Sequence, residues 1–79
     1  MLDQAFFKRM GYLESRQLND GSWVALVQLL FTTGICMGLN EVGWSKRYCF
    51  DDIERCRKEY EKLQSVKDVP EGWIAKRPE

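Results

Sequence analysis

The chain has 79 residues, of which 44% are hydrophobic, 13% aromatic and 30% charged, and this composition indicates one folded domain and excludes a disordered chain. A chain of this length buries only about 60% of the surface that its unfolded form exposes, so we expect a small core. With 12 basic and 12 acidic residues the formal net charge is zero, and the chain lacks the long-range positive field on which nucleic-acid binders rely.

Residues 1–10 are predicted to form either a short helix or a loose arm. Asp3 can cap such a helix and Gly11 can end it. The apolar side chains that would share one side of it are Phe6, Phe7 and Met10. Because two helical turns are unstable alone, this helix would need to pack on the rest of the domain.

A hairpin is predicted next. Residues 12–18 mix polar and apolar side chains as an edge strand does, and the Asn-Asp-Gly-Ser sequence of residues 19–22 favours a tight turn. The following strand, residues 23–31, is largely apolar on both faces. One face carries Trp23, Ala25, Val27, Leu29 and Phe31, and the other carries Val24, Leu26, Gln28 and Leu30. Such a strand is either covered on both sides or has one face in an oligomer contact.

Two further strands are predicted before Asp51, where the spacing of apolar residues changes from that of a strand to that of a helix. Residues 32–34 form a bend, a bulge or a continuation of the strand, and residues 35–39 form the third strand. A loop over residues 40–45 then leads to a short fourth strand over residues 46–50.

An amphipathic helix is predicted from Asp51 to about residue 66. Asp51 is the expected N-cap, and Glu54 three positions later would complete a capping box. The stripe expected to face the core consists of Ile53, Cys56, Tyr60 and Leu63. After the helix, residues 73–75 are predicted to pack back on the domain and residues 76–79 to fray.

These elements predict a single α+β domain over residues 1–79. A small antiparallel sheet of three to four strands, a β-meander, would be packed by one C-terminal amphipathic helix, with a short N-terminal helix as an addition. One helix covers only one face of the strand over residues 23–31, so a homodimer is expected.

The residue types exclude several kinds of active site. The chain has no histidine, so it cannot build a nucleophilic triad of the Ser-His or Cys-His type within itself. Its cysteines, Cys36, Cys49 and Cys56, lack the spacing of a zinc site and are interpreted as structural residues of a reduced compartment. The Asp51-Asp52 pair could bind a divalent cation, but helix capping explains it more simply. No catalytic, cofactor or metal site is predicted.

The candidate partner-binding residues are a tryptophan and several cations. Trp44 follows Gly43 in a loop and is expected to be exposed, as tryptophans at binding surfaces often are. The cations occur in three groups, which are Lys46-Arg47, Arg55-Lys58-Lys62 and Lys76-Arg77. A surface formed by Trp44 with Lys46, Arg47, Arg55 and Lys58 would hold phosphate and stack a base. The alternative is an ordinary solvated surface, because acidic residues are interspersed with the basic ones.

Three motifs follow one another along the chain. They are the Asn-Asp-Gly turn before an apolar strand, the Arg-Tyr-Cys-Phe-Asp step at residues 47–51 and the Pro-Glu-Gly-Trp-Ile segment at residues 70–74. Over residues 17–76 this order resembles a group of small uncharacterised proteins encoded by bacteriophages and prophages. In that group the step from the helix to the tail is commonly a Gly-rich turn that bears a tryptophan. The chain departs from this pattern, because residues 63–68 contain neither Trp nor Gly. The resemblance implies a phage setting and no assigned activity.

The lack of catalytic residues, the neutral charge and the two apolar faces of one strand predict a non-enzymatic protein that acts through protein–protein contacts, and the resemblance implies an accessory protein of a phage or prophage in the bacterial cytoplasm. The expected partner is a host or phage protein, or a second copy of the chain in a homodimer. A small nucleic-acid-binding module is the alternative. No membrane partner is expected, since the longest apolar stretch is too short and too polar to span a bilayer.

Overall fold

A computed structural model describes residues 2–78, which form two helices and five strands. In chain order these are α1 (Gln4–Arg9), β1 (Glu14–Gln17), β2 (Trp23–Gln28), β3 (Thr33–Met37), β4 (Lys46–Phe50), α2 (Ile53–Lys62) and β5 (Ala75–Pro78). Each strand pairs antiparallel with its neighbour in sequence, in the order β1-β2-β3-β4-β5. The predicted α+β class, meander and C-terminal helix are confirmed, with one strand more than expected.

The larger part of the core lies between the sheet and α2. Directly paired residues share a face of a sheet, so Leu26, Ile35 and Tyr48 all point toward α2, on what we call the α2 face. Cys56 and Tyr60 of the helix are at most 2% exposed. The buried residues of this core are Leu18, Val24, Leu26, Ile35, Met37, Tyr48, Phe50, Cys56, Tyr60 and Leu63.

Helix α1 covers the opposite face of the sheet, the α1 face. The short helix therefore forms, rather than the loose arm, and the Asp3 side chain caps it by accepting a 2.8 Å hydrogen bond from the N–H of Phe6. Phe7 is fully buried in a second cluster with Ala25 and Cys36. Strand β2 is thus covered on both sides. Helix α1, and not a second copy of the chain, covers the second face of β2, and the homodimer stays a prediction.

The second and third strands are displaced from their predicted bounds. Strand β2 ends at Gln28 rather than at residue 31, and β3 covers Thr33–Met37 rather than 35–39. The turn between them is formed by residues 29–32. The first hairpin turn is confirmed, and β4 has the predicted bounds.

The predicted N-cap of α2, Asp51, is wrong. Asp52 is the N-cap, and its carboxylate accepts hydrogen bonds from the N–H of Glu54 at 2.9 Å and of Arg55 at 3.4 Å. Strand β4 stays paired with β3 as far as Phe50, so one further residue is needed to turn the chain before the helix begins. The capping box also fails, because the third residue after Asp52 is Arg55.

Alanine substitutions at the two aspartates test which of them caps α2. Asp52→Ala should lower the free energy of unfolding by about 1 kcal/mol, because two N–H groups of the first turn lose their acceptor. Asp51→Ala removes the same group one residue earlier and should change it by less than about 0.5 kcal/mol. Urea denaturation measures both values. A larger loss for Asp51→Ala would contradict the capping role of Asp52.

Helix α2 also ends before the predicted residue 66. Its last residue is Lys62, and Leu63 is the C-cap. The chain leaves the helix toward the first hairpin, where the Asp20 carboxylate accepts hydrogen bonds from Ser65 Oγ at 3.1 Å and Val66 N at 2.9 Å. These long-range bonds hold the segment after Leu63 in a non-helical path.

The C-terminal segment joins the sheet as β5. We predicted a frayed tail over residues 76–79, but the chain pairs with β4 as far as Pro78, and residue 79 lies outside the described residues. Just before the strand, Trp73 packs on Tyr48 with ring centroids 5.7 Å apart. This contact anchors the segment beside β4, so the tail is held in register.

Candidate functional site

The structure distributes the predicted candidate residues over both faces of the sheet. Lys46 and Arg47 are neighbours on β4, so their side chains point to opposite faces. Arg47 lies on the α1 face, with its guanidinium carbon 4.8 Å from the ring centroid of Trp44. Lys46 lies on the α2 face, with Nζ 6.0 Å from the ring centroid of Tyr48.

Arg55 and Lys58 lie on α2, away from Trp44. They line a shallow surface pocket together with Asp52 and Glu54. Two carboxylates therefore accompany the two cations, which leaves this pocket without a net positive charge. The five candidate residues do not form one continuous basic surface.

Trp44 is half-buried, whereas the sequence led us to expect an exposed side chain. Its ring packs against the second cluster of the core and is stacked by the Arg47 guanidinium. The preceding loop is tightened by the Asn40 side chain, which accepts hydrogen bonds from the N–H groups of Val42 and Gly43 at 2.9 and 2.8 Å. This tight loop folds the tryptophan back over the core, and its role as a partner contact stays a prediction.

Strand β5 contains Lys76 and Arg77, the third basic group noted in the sequence, which was not part of the five-residue surface predicted around Trp44. Lys76 pairs with Tyr48 and places Nζ 5.6 Å from its ring centroid, while Arg77 pairs directly with Arg47. Strands β4 and β5 together carry four basic residues, with Lys46 as the fourth, and no acidic one. The sequence shows one Lys-Arg pair in each of these segments, but only the pairing of β4 with β5 in the sheet places the two Lys-Arg pairs side by side.

Glu59 is a buried carboxylate that the predicted helix stripe did not include. It is 5% exposed and accepts hydrogen bonds from the Glu71 backbone N–H at 2.9 Å and from Lys62 Nζ at 3.1 Å. The hydrogen bond from Glu71, supported by Lys62 and Arg55, holds the pKa of Glu59 below its ordinary value. Glu59 therefore ties α2 to the segment that leads into β5. Ile53, which we placed on the buried stripe, is 42% exposed.

The three cysteines are buried as free thiols. Burial raises the pKa of Cys36 to about 12 and that of Cys56 to about 11. The thiolate is the reactive form of cysteine, and at neutral pH these two groups stay protonated. Such positions suit structural residues better than nucleophiles.

Among residues 2–78, two of the three most exposed large apolar side chains lie on the turn between β2 and β3. Leu30 is 86% exposed and Phe31 is 88% exposed. The turn itself is braced by Gln28, whose Nε2 donates hydrogen bonds to the carbonyls of Leu29 at 3.0 Å and Thr32 at 3.2 Å. Because these turn carbonyls are bonded within the turn, two apolar side chains are presented on a well-defined backbone.

Other exposed apolar residues lie at the same end of the sheet. Phe50 pairs with Thr33, the first residue after the turn, so the start of α2 and the start of β5 are both at this end. We call this region the apolar end, and it consists of Leu30, Phe31, Ile53, Trp73 and Ile74, which are 40% to 88% exposed. Val42, 86% exposed, lies in the loop at the opposite end.

Neither α1 nor α2, the helices found within residues 2–78, is long and apolar enough to cross a bilayer. The same described part of the chain contains no group of three or more cysteine, aspartate or glutamate side chains placed to hold a metal ion. Comparisons with protein-family models, with curated proteins and with solved structures found no match to this chain.

Proposed function

We propose that this protein is a non-enzymatic interaction domain that binds another protein through its apolar end. The observation that carries the proposal is the exposure of Leu30 and Phe31 on a turn braced by Gln28. Aromatic side chains that fill a partner's pocket supply much of the binding energy at protein interfaces. A turn whose backbone is already held in place loses little entropy on binding.

A partner with an apolar groove is favoured over a second copy of the chain. Contact between Leu30 and Phe31 of two copies would by itself bury far less than the roughly 1,200 Å² of total surface typical of stable interfaces. A groove on another protein encloses the turn on several sides and buries more of it. The resemblance to phage and prophage proteins points to a host or phage protein as the source of this groove.

Capture of partners from bacterial lysates, with and without phage infection, tests this function. The wild type should retain one or more proteins that the double variant Leu30→Ser/Phe31→Ser fails to retain. Val42→Ser is the matched control, since it removes an equally exposed apolar side chain from the opposite end. It should capture the same proteins as the wild type. Equal capture by the turn variant, or equal loss with Val42→Ser, would refute the proposed surface.

A nucleic-acid-binding module is the second candidate, and the basic residues of β4 and β5 favour it. Lys46 and Lys76 lie on one face and Arg47 and Arg77 on the other, so a backbone would have to follow the edge of the sheet. Titration with labelled single- and double-stranded DNA and RNA at two salt concentrations tests this candidate. Binding that weakens strongly with salt would support it.

A further inference from the structure

We propose that Arg47 and Arg77 bind a phosphate group on the α1 face of the sheet. The two arginines are direct cross-strand partners, so both side chains rise from the same face. Arg47 is half-buried and Arg77 is exposed. This site goes beyond the proposed protein contact, which lies at the apolar end.

The Arg47 side chain is held in place before any ligand binds. Its stem crosses Gly34, where an added Cβ would lie only 3.3 Å from Cδ and 3.4 Å from Cγ of Arg47. Its guanidinium stacks on Trp44. A guanidinium fixed in this way loses little entropy when it binds an oxyanion.

Within residues 2–78, no acidic side chain forms an ion pair with Arg47 or Arg77. The ion pairs in this part of the chain join Arg55, Arg57 and Lys62 to glutamates. The Nε atom of Arg47 is buried and makes no hydrogen bond to any described residue. Like charges placed directly opposite one another on a sheet are destabilising. A bound anion would attract both guanidinium groups and so offset their mutual repulsion.

The chemistry of the pair favours a phosphate monoester over a carboxylate. Two guanidinium groups carry two positive charges, and a phosphate monoester carries about 1.5 to 2 negative charges at pH 7. A carboxylate carries one. Guanidinium groups also bind phosphate oxygens through paired, parallel hydrogen bonds.

Titration of the isotope-labelled protein with inorganic phosphate at constant ionic strength tests the site. Amide resonances of β4 and β5 and the indole N–H of Trp44 should shift in a saturable way, whereas sodium acetate should produce no saturable shift. Phenyl phosphate is the monoester probe and should shift the same resonances. A short single-stranded DNA is the polymer probe.

Arg77→Gln should weaken phosphate binding by about tenfold or more, which corresponds to the loss of one charged contact. Arg57→Gln is the matched control, because it removes the same charge from an arginine already paired with Glu14. It should leave the affinity unchanged. Because Arg77 is exposed, we expect the Arg77→Gln variant to fold. Arg47→Lys is a second variant, which keeps the positive charge at position 47 but loses the planar guanidinium donor group.

Three results would overturn the site. They are shifts that do not saturate, equal weakening by Arg57→Gln and Arg77→Gln, or binding of the DNA without binding of phosphate or phenyl phosphate. The last result would instead support nucleic-acid binding by the basic residues of β4 and β5. None of them bears on the protein contact at the apolar end, whose variants lie elsewhere.

Discussion

Arg16→Ala should lower the free energy of unfolding by about 2–3 kcal/mol, because it removes charged hydrogen bonds that close the end of α2. Arg16 Nη2 donates to the carbonyls of Tyr60 and Leu63, the second at 2.9 Å. Its guanidinium carbon also lies 5.0 Å from the ring centroid of Tyr60. The last carbonyls of a helix lack the usual partner one turn further on. The Tyr60 carbonyl accepts a 3.3 Å hydrogen bond from the Leu63 N–H as well as the bond from Arg16, and the two Arg16 bonds join β1 to the end of α2.

Arg57→Ala provides the matched control for this prediction. Arg57 also connects α2 to β1, through an ion pair with Glu14, but both side chains are about half exposed, at 48% and 47%. An exposed pair of this kind contributes only about 0–1 kcal/mol. Urea denaturation of the two variants should therefore give clearly different losses. Equal losses would mean that the carbonyl contacts of Arg16 do not hold α2.

Gly38→Ala should be the most damaging single glycine substitution, with a loss of about 2–3 kcal/mol. Gly38 has a φ of +67°, a backbone angle that residues other than glycine rarely adopt, and an added Cβ would overlap Ser45 Oγ. Ser45 Oγ donates a hydrogen bond to the Met37 carbonyl at 3.1 Å, so displacing it breaks a bond across the start of the β3–β4 connection. The same connection carries Trp44 into its place under Arg47.

Gly21→Ala separates backbone strain from steric overlap. Gly21 has a φ of +87°, but an added Cβ would meet nothing within 4 Å. Its substitution should therefore cost only about 1 kcal/mol, from the backbone conformation alone. Thermal unfolding of both variants compares the two effects. A loss for Gly21→Ala as large as that for Gly38→Ala would show that contact with Ser45 is unimportant.

The local patterns of the sequence predicted the elements that depend on neighbouring residues. The turn at residues 19–22 follows from its turn-forming residues, and the bounds of β4 follow from the loop before it and the helix start after it. The two apolar faces of β2 indicated cover on both sides as one alternative. That Phe7 supplies the second cover could not be derived, because a two-turn helix acquires its stability from packing.

The features that were missed depend on contacts between distant residues. The Ala-Lys-Arg-Pro sequence of β5 has no strand pattern of its own and is ordered by pairing with β4. The capping-box spacing to Glu54 favoured Asp51 over Asp52 in the sequence, but β4 extends to Phe50 and the cap falls on Asp52. Leu30 and Phe31 continue the apolar run of β2, so their place on an exposed turn follows from where the pairing with β3 ends.

Photo-crosslinking from the turn is the most direct test of the proposed protein contact. A photoreactive phenylalanine analogue would replace Phe31 in one variant and Val42 in another, and both would be irradiated in bacterial cells. The two positions are 88% and 86% exposed and lie at opposite ends of the sheet. A discrete cross-linked protein adduct from position 31 and none from position 42 is the predicted result. Adducts of equal yield from both positions, or none from position 31, would contradict binding through the apolar end.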